Sequence, residues 1–116
     1  MTATIYGIKS CDTMKKAMSW LNDHQVDYRF HDYKIAGIDE AHLKRWCDKL
    51  GWETVLNRAG TTFRKLPDAA KQNLDRAKAI SLMLDQPSMI KRPVLDLGTA
   101  LLIGFKPDAY VKAFGK

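Results

Sequence analysis

Cys11 is the residue whose type and position most directly suggest chemistry in this sequence. The apolar run at residues 5–8 predicts a buried strand, and from Met14 the apolar residues recur at helical spacing. Cys11 is therefore expected at a strand-to-helix junction, where free backbone N–H groups and the helix dipole favour an anion. A thiolate is such an anion, and Lys9 and Lys15 add positive charge nearby. We therefore expect the pKa of this thiol to be lowered.

The alternative is that Cys11 is a small buried hydrophobic residue, as most free cysteines are. Its polar neighbours Ser10, Asp12 and Thr13 favour the reactive interpretation. Cys47 is different, because it lies beside Trp46 within the apolar stripe of a predicted helix. We expect Cys47 to be a core thiol.

Composition predicts one globular domain spanning residues 1–116. A chain of 116 residues with 46% hydrophobic and 28% charged residues can bury one core but not two. No apolar run is long enough to span a membrane, and the N-terminus lacks a signal-peptide pattern. We therefore expect a cytoplasmic protein that does not bind membranes. Two cysteines make no disulfide framework, so both are expected to be reduced.

The basic balance of the chain raises the question of nucleic-acid binding. The net charge is +6 and the pI is about 9.4. However, the lysines and arginines are scattered, and no known nucleic-acid-binding signature accompanies them. We expect a solvated basic surface or attraction of small anions rather than direct nucleic-acid binding.

The elements around Cys11 follow from periodicity and helix caps. A helix is predicted from Asp12 to Asn22 or Asp23 with Ser10 as its cap, and a strand at 25–33. Between them and the C-terminal part lie predicted helices, with Asp39 as a cap, Asp68 as a candidate cap and a further helix that begins around Asp75 and runs to about Asp85. A polar loop is predicted at 57–62. Two further strands, within 89–97 and 101–105, form a hairpin around a turn at 96–99, and a helix opens at 106–108.

The resulting order is β-α-β, a helical insertion at about residues 39–86, then β-β-α. This order predicts an α/β thioredoxin-like fold with a four-stranded mixed sheet. In that fold the first βα junction holds the reactive cysteine, and a proline before the third strand, usually cis, lies against it. Pro93 has that position, so we expect a cis Arg92–Pro93 bond.

The whole chain resembles the arsenate reductase (ArsC) family, which includes the Spx-type regulators, and is most similar to its YffB-like subgroup. The motifs that carry this resemblance are YGIKSCDT at 6–13, LNR at 56–58, TFRK at 62–65, IKRP at 90–93 and GT at 98–99. The YffB-like subgroup also has the pattern Cys-Asp-Thr, a bulky residue and Lys-Lys-Ala, here at 11–17.

The resemblance implies roles for particular residues. In arsenate reductases the cysteine attacks arsenate, glutathione resolves the adduct and arginines hold the oxyanion; Cys11, Arg58 and Arg92 match these positions. The third arginine is expected on the last strand or just after it, where this sequence has Leu101, Leu102, Ile103 and Gly104, with only Lys106 nearby. Gly7 replaces a histidine that some members carry. We therefore expect weak or no arsenate reduction. Spx-type regulators use Cys-x-x-Cys as a redox switch, but here the second position is Met14.

Together these features predict a single-cysteine, glutathione-dependent thiol/disulfide reductase. Cys11, Arg92 and Arg58 would be catalytic; Thr13, Lys9, Pro93 and Arg64 would help to bind the glutathione or anion. We expect a monomer with no metal and no tightly bound cofactor, glutathione as co-substrate, and a small oxidised thiol or oxyanion as substrate. A glutaredoxin is a possible partner. The alternatives are an RNA polymerase-binding regulator of the Spx type and a true arsenate reductase.

Overall fold

The computed structural model describes residues 3–115, which divide into two compact units. One unit comprises the chain up to Ala36 and from Arg92 onward, and the other is Gly37–Lys91. Whether they form the single domain expected from the sequence stays a prediction. In the described part of the chain, no helix has the length and apolar character needed to cross a membrane.

The first unit is a mixed sheet with helices. Its elements are β1 (Ala3–Gly7), α1 (Asp12–Asp23), β2 (Tyr28–Asp32), the helical turn α2 (Tyr33–Ala36), β3 (Val94–Asp96), β4 (Leu101–Ile103) and α8 (Pro107–Phe114). Within residues 3–115 four strands are ordered β2-β1-β3-β4. β1 is parallel to β2 and antiparallel to β3, and β3 is antiparallel to β4. The expected α/β thioredoxin-like fold with a four-stranded mixed sheet is confirmed.

The core of this unit explains why α1 forms against the sheet. Met14, Ala17 and Leu21, on one face of the helix, are fully buried. They pack in one cluster with Ile5 of β1 and Tyr110 of α8. Burying an apolar side chain of this size stabilises the fold by about 1.5–3 kcal/mol, so this face holds the start of α1 at the end of β1.

Two predicted boundaries in this unit are wrong for local reasons. The second strand starts at Tyr28 rather than Gln25, because Gln25 has a positive φ of 57° and Val26 donates to the carbonyl of Leu21 as the helix ends. Tyr33 opens a helical turn in which Lys34 donates its N–H to the Asp32 carboxylate. The hairpin is confirmed; Gly98 has a φ of 82° in its turn.

The second unit is helical. It contains α3 (Glu40–Leu50), the helical turns α4 (Trp52–Val55), α5 (Thr61–Arg64) and α6 (Asp68–Lys71), α7 (Arg76–Asp85) and a 3₁₀ turn (Pro87–Met89). The predicted cap Asp39 is confirmed, since its carboxylate accepts the N–H group of His42 at 2.9 Å. The helix predicted to begin around Asp75 is α7, and the structure shows that the Asp75 carboxylate caps it by accepting the N–H group of Lys78 at 2.8 Å. Cys47 is only 5% exposed, which confirms its place in the core of this unit.

Other details of this unit differ from the predictions. The polar loop is shorter than expected, because Thr61 and Thr62 already belong to α5. Asp68 is not a cap: Pro67 occupies the N-cap position, and Asp68 lies in the first turn of α6. On α7 the buried residues are Ala79, Ile80 and Met83.

Candidate active site

Cys11 occupies the N-cap position of α1, immediately before its first residue. Its φ and ψ of −80° and 130° are extended, as is typical of an N-cap residue, which precedes the first helical residue. Its N–H donates to the carbonyl of Ile8 at 3.2 Å, and its carbonyl accepts the N–H of Lys15 at 3.0 Å. The backbone of Cys11 is therefore held on both sides, while its side chain is partly exposed.

The prediction that Ser10 caps α1 is wrong. Ser10 is exposed in the turn before the helix, and Cys11 itself has the N-cap position. An N-cap side chain lies where the unpaired N–H groups of the first helical turn can reach it. The Cys11 side chain therefore extends from the position that a capping residue has in other helices.

Several groups act on the Cys11 thiol, and the balance favours the thiolate. Partial burial raises its pKa. The backbone N–H groups of Met14 and Thr13 act against burial by hydrogen bonding, as do a hydrogen bond from Arg92 and its positive charge. Together they hold the pKa of Cys11 below its ordinary value of 9.0. This direction agrees with the expectation from the sequence.

Arg92 reaches Cys11 because β1 and β3 run antiparallel. Tyr6, near the end of β1, is paired with Val94 at the start of β3, so the residues after β1 and those before β3 lie at the same end of the sheet. The Arg92–Pro93 peptide bond is cis, as predicted. The carbonyl of Pro93 accepts the N–H of Gly104 at 2.9 Å, and this bond fixes the residue next to Arg92.

The remaining predicted site residues fall into two groups. Thr13 is half-buried in the first turn of α1, and Lys9 is exposed in the turn before Cys11. Arg58 and Arg64 lie in the Gly37–Lys91 unit, so their role at Cys11 stays a prediction. Arg58 is 5.7 Å above the ring of Trp52, and the Arg64 carbonyl accepts a hydrogen bond from Lys71.

Sequence reasoning missed a row of rings at this end of the sheet. The ring centroids of Tyr6 and His31 are 4.8 Å apart, and those of His31 and Tyr33 are 6.1 Å apart. Burial raises the pKa of Tyr33, the nearby Tyr6 adds to this effect, and the charge of Arg92 opposes it. Tyr33 therefore lies within the electrostatic reach of Arg92. Its position after a strand parallel to β1 is the signal that could have identified it.

Cys47 has the opposite environment to Cys11. Burial raises the pKa of Cys47, the charge of Arg76 only partly offsets this, and Asp48 adds to it. A buried thiol with a raised pKa is a poor nucleophile. Within residues 3–115 no group of three or more histidine, cysteine, aspartate or glutamate side chains is placed to hold a metal ion.

Comparison with known proteins extends the similarity over nearly the whole chain. A family model described as the ArsC family matches residues 6–113. The YffB protein, whose structure is solved, has 68% sequence identity to this chain and a TM-score of 0.94. The match covers 96% of this chain and 97% of that one. An arsenate reductase (ArsC) related protein from Brucella melitensis is 57% identical, with a TM-score of 0.78, over 100% of this chain and 97% of that one.

A similarity of another kind concerns a regulator. The global transcriptional regulator Spx of Streptococcus mutans is 27% identical over 113 residues. That match covers 96% of this chain and 81% of the regulator. Sequences related to this chain therefore include a protein named for regulation as well as one named for its relation to arsenate reductase.

Proposed function

The chain belongs to the ArsC family, a family of arsenate reductase-like thiol oxidoreductases, and we propose that it is a glutathione-dependent thiol/disulfide reductase with one reactive cysteine. The observation that carries this proposal is the environment of Cys11, where two helix N–H groups and Arg92 lower the pKa of a partly exposed thiol. The thiolate is the form that attacks disulfides.

An external thiol is needed because the chain offers no second reactive cysteine. Met14 has the position at which a Cys-x-x-Cys pair would carry its second thiol, and its thioether cannot form a disulfide. Cys47 is buried and has a raised pKa. Glutathione is the simplest external thiol, and a glutaredoxin is the protein alternative. Both reductants belong to the cytoplasm, where we place the reaction.

The reaction proceeds by two thiol–disulfide exchanges. The Cys11 thiolate attacks one sulfur of the substrate disulfide, the substrate S–S bond breaks, and the departing thiolate takes a proton from solvent. A glutathione thiolate then attacks the sulfur bound to Cys11, releases the Cys11 thiolate and forms a new disulfide. A second glutathione reduces that product if it is still a mixed disulfide. The two electrons come from glutathione, so Cys11 ends unchanged.

Arg92 and the first turn of α1 supply the positive field for both exchanges. Arg92 stabilises the Cys11 thiolate before attack and again when that thiolate leaves. The N–H groups of Thr13 and Met14 do the same without moving. Arg58, Arg64 and Lys9 are proposed to bind the carboxylates of glutathione.

The test is turnover of bis(2-hydroxyethyl) disulfide with glutathione, followed through coupled oxidation of NADPH by glutathione reductase. We expect activity in the wild type and none in Cys11→Ser. Arg92→Ala should lower kcat/KM by roughly tenfold to a hundredfold, since one charge-assisted hydrogen bond contributes about 1.5–3 kcal/mol. Its circular dichroism spectrum should match that of the wild type.

Cys47→Ala is the matched control, because it removes the other free thiol, which is not among the proposed site residues. It should keep wild-type kcat/KM even if it lowers the melting temperature. Equal activity in wild type and Cys11→Ser would refute the proposal, and so would loss of activity in Cys47→Ala with unchanged activity in Cys11→Ser.

The similarity to Spx supports a second candidate, a regulator that binds RNA polymerase. Met14 rules out an internal Cys-x-x-Cys switch in such a regulator, but it does not affect protein binding. Affinity purification of the tagged protein from its own cell lysate separates the two candidates. Polymerase subunits recovered in stoichiometric amount by both wild type and Cys11→Ser would favour the regulator.

A further inference from the structure

A basic groove with an aromatic floor lies beside the candidate active site. It consists of two adjoining depressions of about 720 and 540 Å³, which share Phe105 and Pro107 in their walls. Residues of α1 line one side, and residues from the end of β4 into α8 line the other. All of them belong to the unit that carries Cys11.

The floor of the groove is apolar and held in place by ring contacts. Trp20 and Phe105 are half-buried there. Trp20 stacks on His24 with centroids 3.8 Å apart, and both Trp20 and Phe105 meet the buried ring of Tyr110 edge-on, at 5.3 and 4.9 Å. Rings fixed in this way offer a preformed surface, which lowers the ordering cost of binding.

The rim carries lysines that the fold does not use. Lys15, Lys16, Lys106 and Lys112 are exposed, and within residues 3–115 none of them has an ion pair or side-chain hydrogen bond. By contrast, Lys44 in the other unit pairs with Glu40 at 2.9 Å. Lys15 and Lys16 also lie in the first half of α1, where the helix dipole disfavours cations.

The groove keeps a positive excess after its own carboxylates are counted. Asp23 and Asp108 also line it. Asp108 lies in the first turn of α8, where its charge faces the helix N-terminus. Four lysines against two aspartates leave a groove whose charge is complementary to an acidic ligand with an apolar anchor.

The groove is close enough to Cys11 for one ligand to reach both. The N–H of Lys15 donates to the Cys11 carbonyl, so the basic rim begins one helical turn from the thiol. Trp20 is nine residues further along α1 than Cys11, a rise of about 13.5 Å at 1.5 Å per residue. An extended peptide covers that distance with about four residues.

We propose that this groove binds an acidic segment of a protein substrate whose nearby cysteine is joined to glutathione by a disulfide. The proposal rests on the function proposed above and names its substrate class. The Cys11 thiolate attacks the glutathione sulfur, the protein–glutathione bond breaks, and the protein thiolate takes a proton. Free glutathione then attacks the Cys11–glutathione disulfide, which releases the Cys11 thiolate and oxidised glutathione. Nucleic acid, the other polyanion, carries no thiol for this chemistry.

The test compares two glutathionylated peptides of equal length, one with glutamates and a leucine within four residues of the cysteine, the other with glutamines and the same leucine. For the wild type we expect kcat/KM to be roughly tenfold higher on the acidic peptide, and the preference to shrink as NaCl is raised. Lys16→Glu/Lys112→Glu should abolish the preference. Lys34→Glu/Lys49→Glu, which changes net charge equally at two residues that do not line the groove, should retain the preference.

The outcomes distinguish this inference from the proposed function. Equal kcat/KM on both peptides would refute the proposal that the groove binds an acidic segment. Equal loss of the preference in both double variants would refute it as well. Inhibition by a single-stranded oligonucleotide that depends on Lys16 and Lys112, without any acidic-peptide preference, overturns it in favour of nucleic acid. The Lys16→Glu/Lys112→Glu variant should turn over bis(2-hydroxyethyl) disulfide like the wild type. Absence of wild-type turnover on that small disulfide counts against the proposed function instead.

Discussion

At the scale of single residues, the Cys11 thiol depends more on backbone than on side chains. The N–H groups of Met14 and Thr13 contribute more to its lowered pKa than the hydrogen bond and charge of Arg92 do. Helix N–H groups cannot be removed by substituting a side chain. The reactivity of Cys11 should therefore survive, in part, the loss of Arg92.

A pH series of iodoacetamide alkylation tests this order of effects. The rate follows the thiolate fraction, so for the wild type it should reach half its maximum below the ordinary pKa of 9.0. In Arg92→Ala the midpoint should rise but remain below that value. A wild-type midpoint at or above 9.0, or a return of the Arg92→Ala midpoint fully to 9.0, would contradict the described environment. Cys47 should react slowly throughout.

The lowered pKa of Cys11 also determines how this residue makes the stability of the protein depend on pH. Because the pKa of Cys11 is lower in the folded than in the unfolded protein, the unfolded state binds more protons between the two values. The contribution of Cys11 to the free energy of unfolding is therefore fully present at pH values above its ordinary pKa of 9.0. It is lost as the pH falls through the pKa of the folded state. Cys11→Ser should remove this part of the pH dependence.

At the scale of elements, the start of α1 is coupled to the end of β1 through Met14 and Gly7. A Cβ at Gly7 would overlap the sulfur and terminal methyl of Met14, which is fully buried. A side chain at position 7 would therefore have to displace the end of the Met14 side chain, while the φ of Gly7 is not positive. The same Met14 donates one of the N–H groups that face Cys11.

Substitutions at these two positions should be strongly non-additive. Gly7→Ala should destabilise the protein by about 1–3 kcal/mol through overpacking, and Met14→Ala by about 2–5 kcal/mol through a cavity. The added methyl group fills part of that cavity. The free energy of unfolding of the double variant should therefore fall by less than the sum of the decreases in the two single variants. Urea unfolding of the four proteins gives the coupling free energy. Additive losses would be inconsistent with this contact.

Helix caps offer a second prediction at this scale. Asp75→Ala removes the carboxylate that accepts the Lys78 N–H at 2.8 Å and should cost about 0.5–2 kcal/mol. Asp68→Ala is the matched control, because Asp68 lies in the first turn of α6 and is not its cap. Thermal unfolding of both variants should give a clearly lower midpoint only for Asp75→Ala. Similar midpoints in the two variants would show that the Asp75 cap does not stabilise α7.

At the scale of the whole molecule, the chain is basic but lacks a third arginine of the kind that arsenate reductases are expected to use to bind a doubly charged oxyanion. The net charge is +6, but the strand at the far edge of the sheet, β4, is Leu101–Ile103. In this region, where arsenate reductases are expected to carry a third arginine, the chain has no arginine and only Lys106 nearby. Holding a doubly charged oxyanion beside a thiolate requires several fixed donors. A disulfide is neutral and requires fewer.

We therefore expect turnover of arsenate with glutathione to be at least about a hundredfold less efficient than turnover of bis(2-hydroxyethyl) disulfide, since a bidentate charged contact contributes about 3 kcal/mol. Both assays use the same coupled oxidation of NADPH. Cys11→Ser controls for uncatalysed reaction in each. Efficient arsenate turnover at low substrate concentration would restore arsenate reduction as the function and refute this prediction.

The sequence by itself determined the features that depend on a few neighbouring residues. Period, capping and backbone preference gave the position of Cys11 between strand and helix, the cap Asp39, the start of a helix near Asp75, the burial of Cys47 and the hairpin turn at Gly98. The ArsC resemblance, carried by motifs along the whole chain, is confirmed by the family match.

Only the tertiary structure decided which distant groups meet the thiol. The antiparallel register of β1 and β3 brings Arg92 to Cys11, and the parallel register of β1 and β2 brings His31 beside Tyr6 and leads to Tyr33. Local patterns could not supply these contacts, because strand order and register depend on burial of the whole sheet. The structure also shows that Cys11, and not Ser10, has the N-cap position of α1.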